Sequence, residues 1–528
     1  MPLFSQTIHR NIYLFGLLLL VFSLPLSMFG TSFSQLIILG NWILEGKFRE
    51  KFKILKSNKS ILFFASIFFI HALWLLPPQD YSYAYNDLKI KVPLLVLPVL
   101  IGTSNYLSAK NIKLILIVFV SGVLLGSLIS LFRFLFYSSI NVTNYRELSV
   151  FISHIRFSLM VAFSLFILLY YCFINRELKF NNVHKFIAIL ISLWLIVFLF
   201  LLKSLTGLIV FSVIVYLSMV YRAIIIKSYF KWLYFFILLI IPALPIYYVY
   251  AVSKKFTNIE IIDLSIVDTL TLSGNKYLFD VSNKSVENGK LVWVYYCPVE
   301  LKSEWGKRSK VLFESKDING NEVQYTIVRY LTSKGLRKDS VGIWSLKNEE
   351  IKAIESGVAN YTFLEKWKVY PLVYNALWEL YEYKKTGNAS GHSLAQRIEY
   401  LKTAKEIIKE HFWFGVGTGN VRLAFDKKYI EMNSLLENEW RLRAHNQLVT
   451  FLLTFGIFGF IWLIFALFYP AIKEKGFNDF LFTILFLIII ISFINEDTFE
   501  TQAGVTFFII FYSVFIFGKE KQYSNYSV

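Results

Sequence analysis

Cysteine is nearly missing: the 528 residues include two, Cys172 and Cys297. That excludes a disulfide framework and any metal centre built on cysteine, and it leaves Cys297 as a small buried residue. Charge is sparse too, at 17% of residues against 56% hydrophobic and 18% aromatic. Such a balance lies outside that of ordinary soluble domains and predicts a polytopic membrane protein. A cleavable signal is not expected either. Arg10 precedes an apolar core, yet no A-x-A-like site follows and a second apolar segment begins at once, so a retained first helix is expected. No internal repeat or low-complexity tract stands out.

What the chain has in excess is positive charge, a net +18. In a soluble protein this would suggest a nucleic-acid partner, but its distribution argues against one. Between Ala251 and Ala444, 29 Lys and Arg face 24 Asp and Glu, whereas the remainder carries 25 basic residues against 12 acidic ones. Apolar segments fall at 12–29, 31–44, 61–76, 90–104, 114–136, 157–174, 186–202, 206–221, 233–251, 446–470, 479–494 and 503–517. Each is read as a membrane span. Alternating sides gathers Arg10, the basic run 47–59, Lys110, Lys113, Arg176, Lys179, Lys185, Arg222, Lys227, Lys231, Lys473, Lys475, Lys519 and Lys521 on one face. These are 19 of the 25 basic residues of the membrane part. The cytoplasmic bias of Lys and Arg then places both termini inside and the long polar segment outside, with the two cysteines on opposite sides.

The expected organisation is a membrane region at 1–251 with nine spans, a folded extracytoplasmic segment at 252–444, and a membrane region at 445–528 with three. The middle segment is too polar to be embedded and too rich in Tyr, Trp, Ile and Leu to be a disordered linker. Its first half, 275–330, reads as strand-rich. Runs at Gly289–Tyr296, Lys310–Glu314 and Val323–Tyr330 are separated by turn chemistry at Asn288-Gly289 and Asn319-Gly320. Its second half, 345–412, reads as helical. Ser393–His411 is amphipathic, with Leu394, Ile398, Leu401, Ala404, Ile407 and Ile408 on one face.

Candidate chemistry crowds the boundary where that segment meets the tenth span. Arg441, Arg443, His445 and Asn446 stand there together. His445 has the one side-chain type whose ordinary pKa lies near neutrality, which suits a general base; the competing reading is a helix cap beside Asn446. Phe412–Asn420 carries glycines at 415, 417 and 419. It follows a helix rather than a strand, so it reads as a helix stop and chain reversal that still lets backbone approach a ligand at Gly417. Arg156 sits at the outer mouth of its span, where either a salt bridge or a phosphate would account for it. Arg397 lies on the polar flank of its helix. The turn Asn495–Glu500 brings Glu496 and Glu500 to the same outer side, to bind cations, to orient the arginines or simply to be solvated.

The string Glu439–Asn446 (EWRLRAHN), leading into a span with Gly456 and Gly459 and preceded by Phe414–Asn420 (FGVGTGN), resembles the bacterial O-antigen ligase and polymerase superfamily. Thr326–Asp339 and Glu496–Thr506 resemble its branch in Bacteroidetes-type bacteria. The resemblance implies an all-α polytopic fold of the GT-C-like kind with about twelve transmembrane helices and a large mixed α/β outer loop. It also implies transfer of a glycan from an undecaprenyl-pyrophosphate carrier to an acceptor hydroxyl such as lipid A-core. That chemistry takes place at the periplasmic face of the inner membrane, with inversion and without metal or cofactor. By this resemblance His445, Arg397 and Arg156 are the catalytic residues, while Arg441 and Arg443 steer the anionic carrier or the acceptor. Ser204–Gly207 (SLTG) resembles a family segment that often reads Ser-Arg-Thr-Gly, with Leu205 in place of the arginine. Polymerase and protein-glycosylating relatives share the donor chemistry and differ only in acceptor. An exporter without chemistry would need paired charges at mid-membrane, and the spans show almost none.

Overall fold

The computed structural model describes residues 5–75, 80–104, 107–136, 148–175, 177–225, 229, 231–263, 265–317, 320–364 and 369–519. Arg176, Lys227 and Lys521 of the orientation argument, and Asn319 of one expected turn, lie outside them. The chain forms two compact units. One is Met1–Ile225, Tyr400–Ser434 and Arg441–Val528; the other is Ile226–Glu399 and Leu435–Trp440.

The first unit is helix packed on helix, because a long apolar segment satisfies its own backbone groups only as a helix. Gln6–Ser23 packs on Met28–Glu45 and on Ala109–Phe136, and Lys59–Leu73 packs on Pro93–Thr103 and Gln447–Lys473. Two helices form its interior. Every residue from Ala503 to Ile516 is buried, and so is every residue from Arg156 to Leu168. Helices apolar on all faces belong inside a bundle, as these are.

Twelve spans are expected from the sequence. Among the described residues six helices are long and apolar enough to cross a membrane: Ala109–Phe136, His154–Ile174, Asn182–Leu201, Leu205–Ile225, Lys231–Thr257 and Gln447–Lys473. A seventh arises if Phe48–Ser57 and Lys59–Leu73, bent by 91°, count as one span. Phe480–Asn495 and Gln502–Ile516 are apolar but shorter, at 16 and 15 residues. By packing, Lys231–Thr257 groups with the second unit and 400–434 with the first.

The second unit departs from the strand-rich reading of 275–330. Its described residues contain one small sheet, Val286–Glu287 paired antiparallel with Lys290–Leu291 around the Asn288-Gly289 turn. Both turn residues have positive φ, 50° and 85°, as a tight hairpin of this kind requires. Val323–Ser333 is a helix, not a strand. Its buried residues Val323, Ile327, Tyr330 and Leu331 recur at helical spacing and pack with Trp305, Ile343 and Ile354. The β-branched content of that run suggested a strand, and packing against the neighbouring helices prevailed. Ser393–Glu410 is helical as expected, though its buried face is carried by Ala395, Tyr400, Ala404 and Ile407 while Ile398 and Leu401 are exposed.

Candidate active site

The turn between Phe480–Asn495 and Gln502–Ile516 is tight, and Thr498–Glu500 form a single 3-10 turn. Two apolar helices hold its ends, so its carboxylates are drawn into the first unit instead of into solvent. Glu496 and Asp497 are 3% and 2% exposed. Buried charges of this kind persist only when paired.

The pairing is supplied by three cations. Arg156 Nη1 lies 3.3 Å from Glu496 Oε2, its Nη2 donates to the Asp497 carbonyl at 2.8 Å, and its Nε donates to Thr501 Oγ1 at 3.2 Å. Arg443 Nε lies 3.1 Å from Asp497 Oδ2, and its Nη1 lies 3.2 Å from Glu500 Oε2. Lys91 Nζ reaches Glu500 Oε2 at 2.7 Å and Asp87 Oδ1 at 2.6 Å. Hydroxyl and amide groups complete the set: Thr450 Oγ1 donates to Asp497 Oδ1 at 2.8 Å, and Gln447 Nε2 donates to Glu500 Oε1 at 3.1 Å. Asp497 therefore joins the two arginines, one through its carbonyl and one through its carboxylate.

Titration follows from this crowding. Burial pushes the Glu500 carboxyl up, but Lys91 and Arg443 overcome it and hold the group well below the usual carboxylate range. Burial pushes Asp497 up, against the pull of Arg443. Four carboxylates, with Asp87 and Glu496, face three cations, and burial pushes Asp87 up to about 6 against the pull of Lys91. The cavity beside Tyr83, Asp87, Arg443, Thr450 and Glu500 measures about 10 Å³, room for about one water. The cluster is closed, and Arg443 is its most open cation, with 28% of its side chain exposed against 7% for Arg156.

His445 stands at the rim of this cluster, at the head of the helix Gln447–Lys473. Its φ is +49°, in the left-handed region that non-glycine residues rarely occupy, and such strain concentrates at functional positions. Its ring lies 5.6 Å from that of Tyr400, and it is near enough to Asp497 to favour that group's charged form. Asn446 serves as the helix cap: Oδ1 accepts from the Val449 N–H at 3.0 Å, while Nδ2 donates to the Ile494 carbonyl at 2.6 Å. Arg441 stacks over Tyr429 at 5.9 Å.

The glycine loop has a structural task. Gln447–Lys473 breaks at Gly456, where φ is +62°, so the carbonyls of Leu453 and Thr454 lose their helical partners. The N–H groups of Val416 and Gly417 replace them, both at 2.9 Å, and the Ile457 N–H donates to the Phe412 carbonyl at 2.8 Å. A Cβ on Gly456 would fall 2.3 Å from the Trp413 carbonyl carbon, and one on Gly415 2.3 Å from the Thr454 oxygen. Gly417 is thus a clamp on the broken helix.

The fold gathers Arg156, Arg443, Glu496 and Glu500 into one network and sets His445 and Asn446 beside it by chain connection. Arg397, partly buried, lies one turn before Tyr400 on Ser393–Glu410, in the portion that belongs to the second unit. Sequence reading missed Lys91, Asp87, Gln447 and Thr450. A signal for the first two was present, since Asp87 and Lys91 are four residues apart just where an apolar run begins. The SLTG segment also reaches the site through Thr206, whose Oγ1 lies 3.4 Å from Glu496 Oε1, while Leu205 is exposed.

Residues 340–464 match the family model described as O-Antigen ligase. That stretch contains Arg397, Gly417, Arg441, Arg443, His445 and Asn446, and it supports membership of the O-antigen ligase and polymerase superfamily. No curated protein matches the chain.

Proposed function

We propose, from the premise of an O-antigen ligase segment at 340–464, that this membrane protein transfers a glycan from undecaprenyl pyrophosphate to the hydroxyl of lipid A-core, at the periplasmic face of the inner membrane. The observation that carries the reading is the strained His445 inside the matched segment, two residues from an arginine tied into a buried carboxylate network.

His445 removes the acceptor proton as the hydroxyl attacks the anomeric carbon from the face opposite the leaving pyrophosphate, which gives inversion. The proton passes to the imidazole, the glycosidic C–O bond breaks, and its electron pair leaves on the pyrophosphate oxygen. Charge on that oxygen grows toward the transition state, so a cation placed there accelerates the reaction more than it tightens donor binding. Arg443 is the member of the network open enough to meet it, and Arg397 is assigned the same task on family resemblance. Arg156, engaged by Glu496, Asp497 and Thr501, is a positioning residue that holds the carboxylate turn beneath Arg443. Glu496 and Glu500 orient the arginines, and Gly417 holds the broken helix. Both termini are cytoplasmic in this arrangement.

The glycan pattern of a deletion strain tests the acceptor. Loss of all glycan from lipid A-core, with long polymer retained on the carrier, is expected. A single repeat unit left on the core would instead mean a polymerase, underglycosylated proteins with unchanged lipopolysaccharide a protein-glycosylating enzyme, and repeat units trapped inside the cell an exporter.

A further inference from the structure

The second unit holds a cationic cavity that glycan transfer leaves unused. It measures about 170 Å³ and lies between the hairpin at Lys290 and the segment 332–338, within the stretch Thr326–Asp339 singled out in the sequence. Sites for drug-sized ligands run to roughly 300–1,000 Å³, so this one admits a single small group.

Lys338 lines it and is 3% exposed. Its backbone is fixed on both sides, the N–H donating to the Tyr295 carbonyl at 3.0 Å and the carbonyl accepting from the Cys297 N–H at 2.9 Å. Among the described residues its ammonium makes no hydrogen bond and no ion pair. The nearby acids do not supply one. Asp339 is engaged by the Tyr277 hydroxyl and by the Gly342 N–H, while Glu260 is exposed at the rim. Arg337, also on the wall, is taken by Asp268 at 2.5 Å and stacks over Tyr295 at 4.7 Å.

Lys290 adds a second cation to the same wall. A Cβ on Gly335 would lie 2.7 Å from its Nζ, so the glycine leaves room for the ammonium. Burial, aided by Lys290, outweighs the opposing pull of Glu260 and Asp339 and pushes the Lys338 ammonium down to about 7, so an anion entering the cavity would favour its charged form. A neighbouring cavity of about 420 Å³ shares Glu260 and Lys290 and adds Lys254 and Lys255, in the last turn of the apolar helix Lys231–Thr257.

We propose that the Lys338 cavity is an anion-binding site, taking one carboxylate or phosphate group between Lys338 and Lys290. That group arrives either on a soluble molecule, such as an acidic sugar, or as a lipid headgroup reached past Lys254 and Lys255. Neither source depends on transfer at His445, and binding is measured without it.

The test uses the full chain in nanodiscs of neutral lipid, titrated with inorganic phosphate and with glucuronate, and compares them with nanodiscs containing phosphatidylglycerol. Calorimetry and thermal melting are read. At least one probe is expected to raise the melting temperature saturably, and Lys338→Met is expected to weaken that binding about tenfold or more, the scale of a lost charge-assisted hydrogen bond. A response to soluble anions alone identifies a soluble ligand, and one to phosphatidylglycerol alone identifies a headgroup. Exposed Lys290→Met carries the same test should Lys338→Met not fold. No response to any probe, or a wild-type response in both lysine variants, overturns the proposal.

Discussion

The carboxylate turn of the first unit and the Lys338 cavity of the second both bury charge, and they do so in opposite ways. At the turn every cation meets an anion: Glu500 alone takes Lys91, Arg443 and Gln447. In the cavity, Lys338 is buried and among the described residues makes no hydrogen bond or ion pair. Removing one member of a paired cluster strands its partners as buried charges, whereas an unpaired charge costs stability until something fills the site. The two regions should therefore respond oppositely to losing a charge.

Removal of the histidine is the largest expected effect, on activity instead of stability. His445→Ala should lower transfer by about 10²–10⁴-fold, the range for a lost general base, with melting temperature unchanged. Among stability effects Glu500→Ala comes first, at about 3–5 kcal/mol, because Lys91 and Arg443 stay buried without their partner. Thermal denaturation in nanodiscs measures it, and an unaltered melting temperature would break the comparison.

The same carboxylate gives a pH test. Its folded pKa is depressed, so its stabilisation is present above the unfolded value of about 4.3 and is lost as pH falls below it. The acid side of the stability curve should be shallower in Glu500→Gln than in the wild type. Gly456→Ala should cost about 1–3 kcal/mol through its left-handed φ alone, with the contact at Trp413 adding to it. Lys338→Met should leave stability equal or higher in the absence of anion. The exposed pair Lys302 and Glu314 sets the lower limit, since Lys302→Ala should change stability by less than about 1 kcal/mol.

Much of the first unit was legible because hydrophobic runs translate directly into helices. Span number was less legible, since an apolar run of 15 residues such as Gln502–Ile516 reads the same whether it crosses a membrane or fills a bundle interior. The carboxylate turn was visible as three acids between spans, and Arg156 as a charge out of place. Their pairing was not, because Arg156 and Glu496 are 340 positions apart and only packing brings them together. Lys91 was hidden at the edge of an apolar segment. In the second unit Val323–Tyr330 misled because β-branched residues favour strands locally, while the helix is decided by Trp305 and Ile343 across the core. The glycine loop read as a helix stop; its partner, the break at Gly456, shows only in the backbone hydrogen bonds.

His445 is proposed as the base in transfer from a lipid-linked pyrophosphate. Purified protein in nanodiscs, given undecaprenyl-pyrophosphate glycan and lipid A-core, measures it through the single-turnover rates of wild type and His445→Ala. The variant is expected to retain the wild-type melting temperature and to bind the carrier but to transfer at least about 10²-fold more slowly. Transfer by the folded variant at the wild-type rate would contradict it.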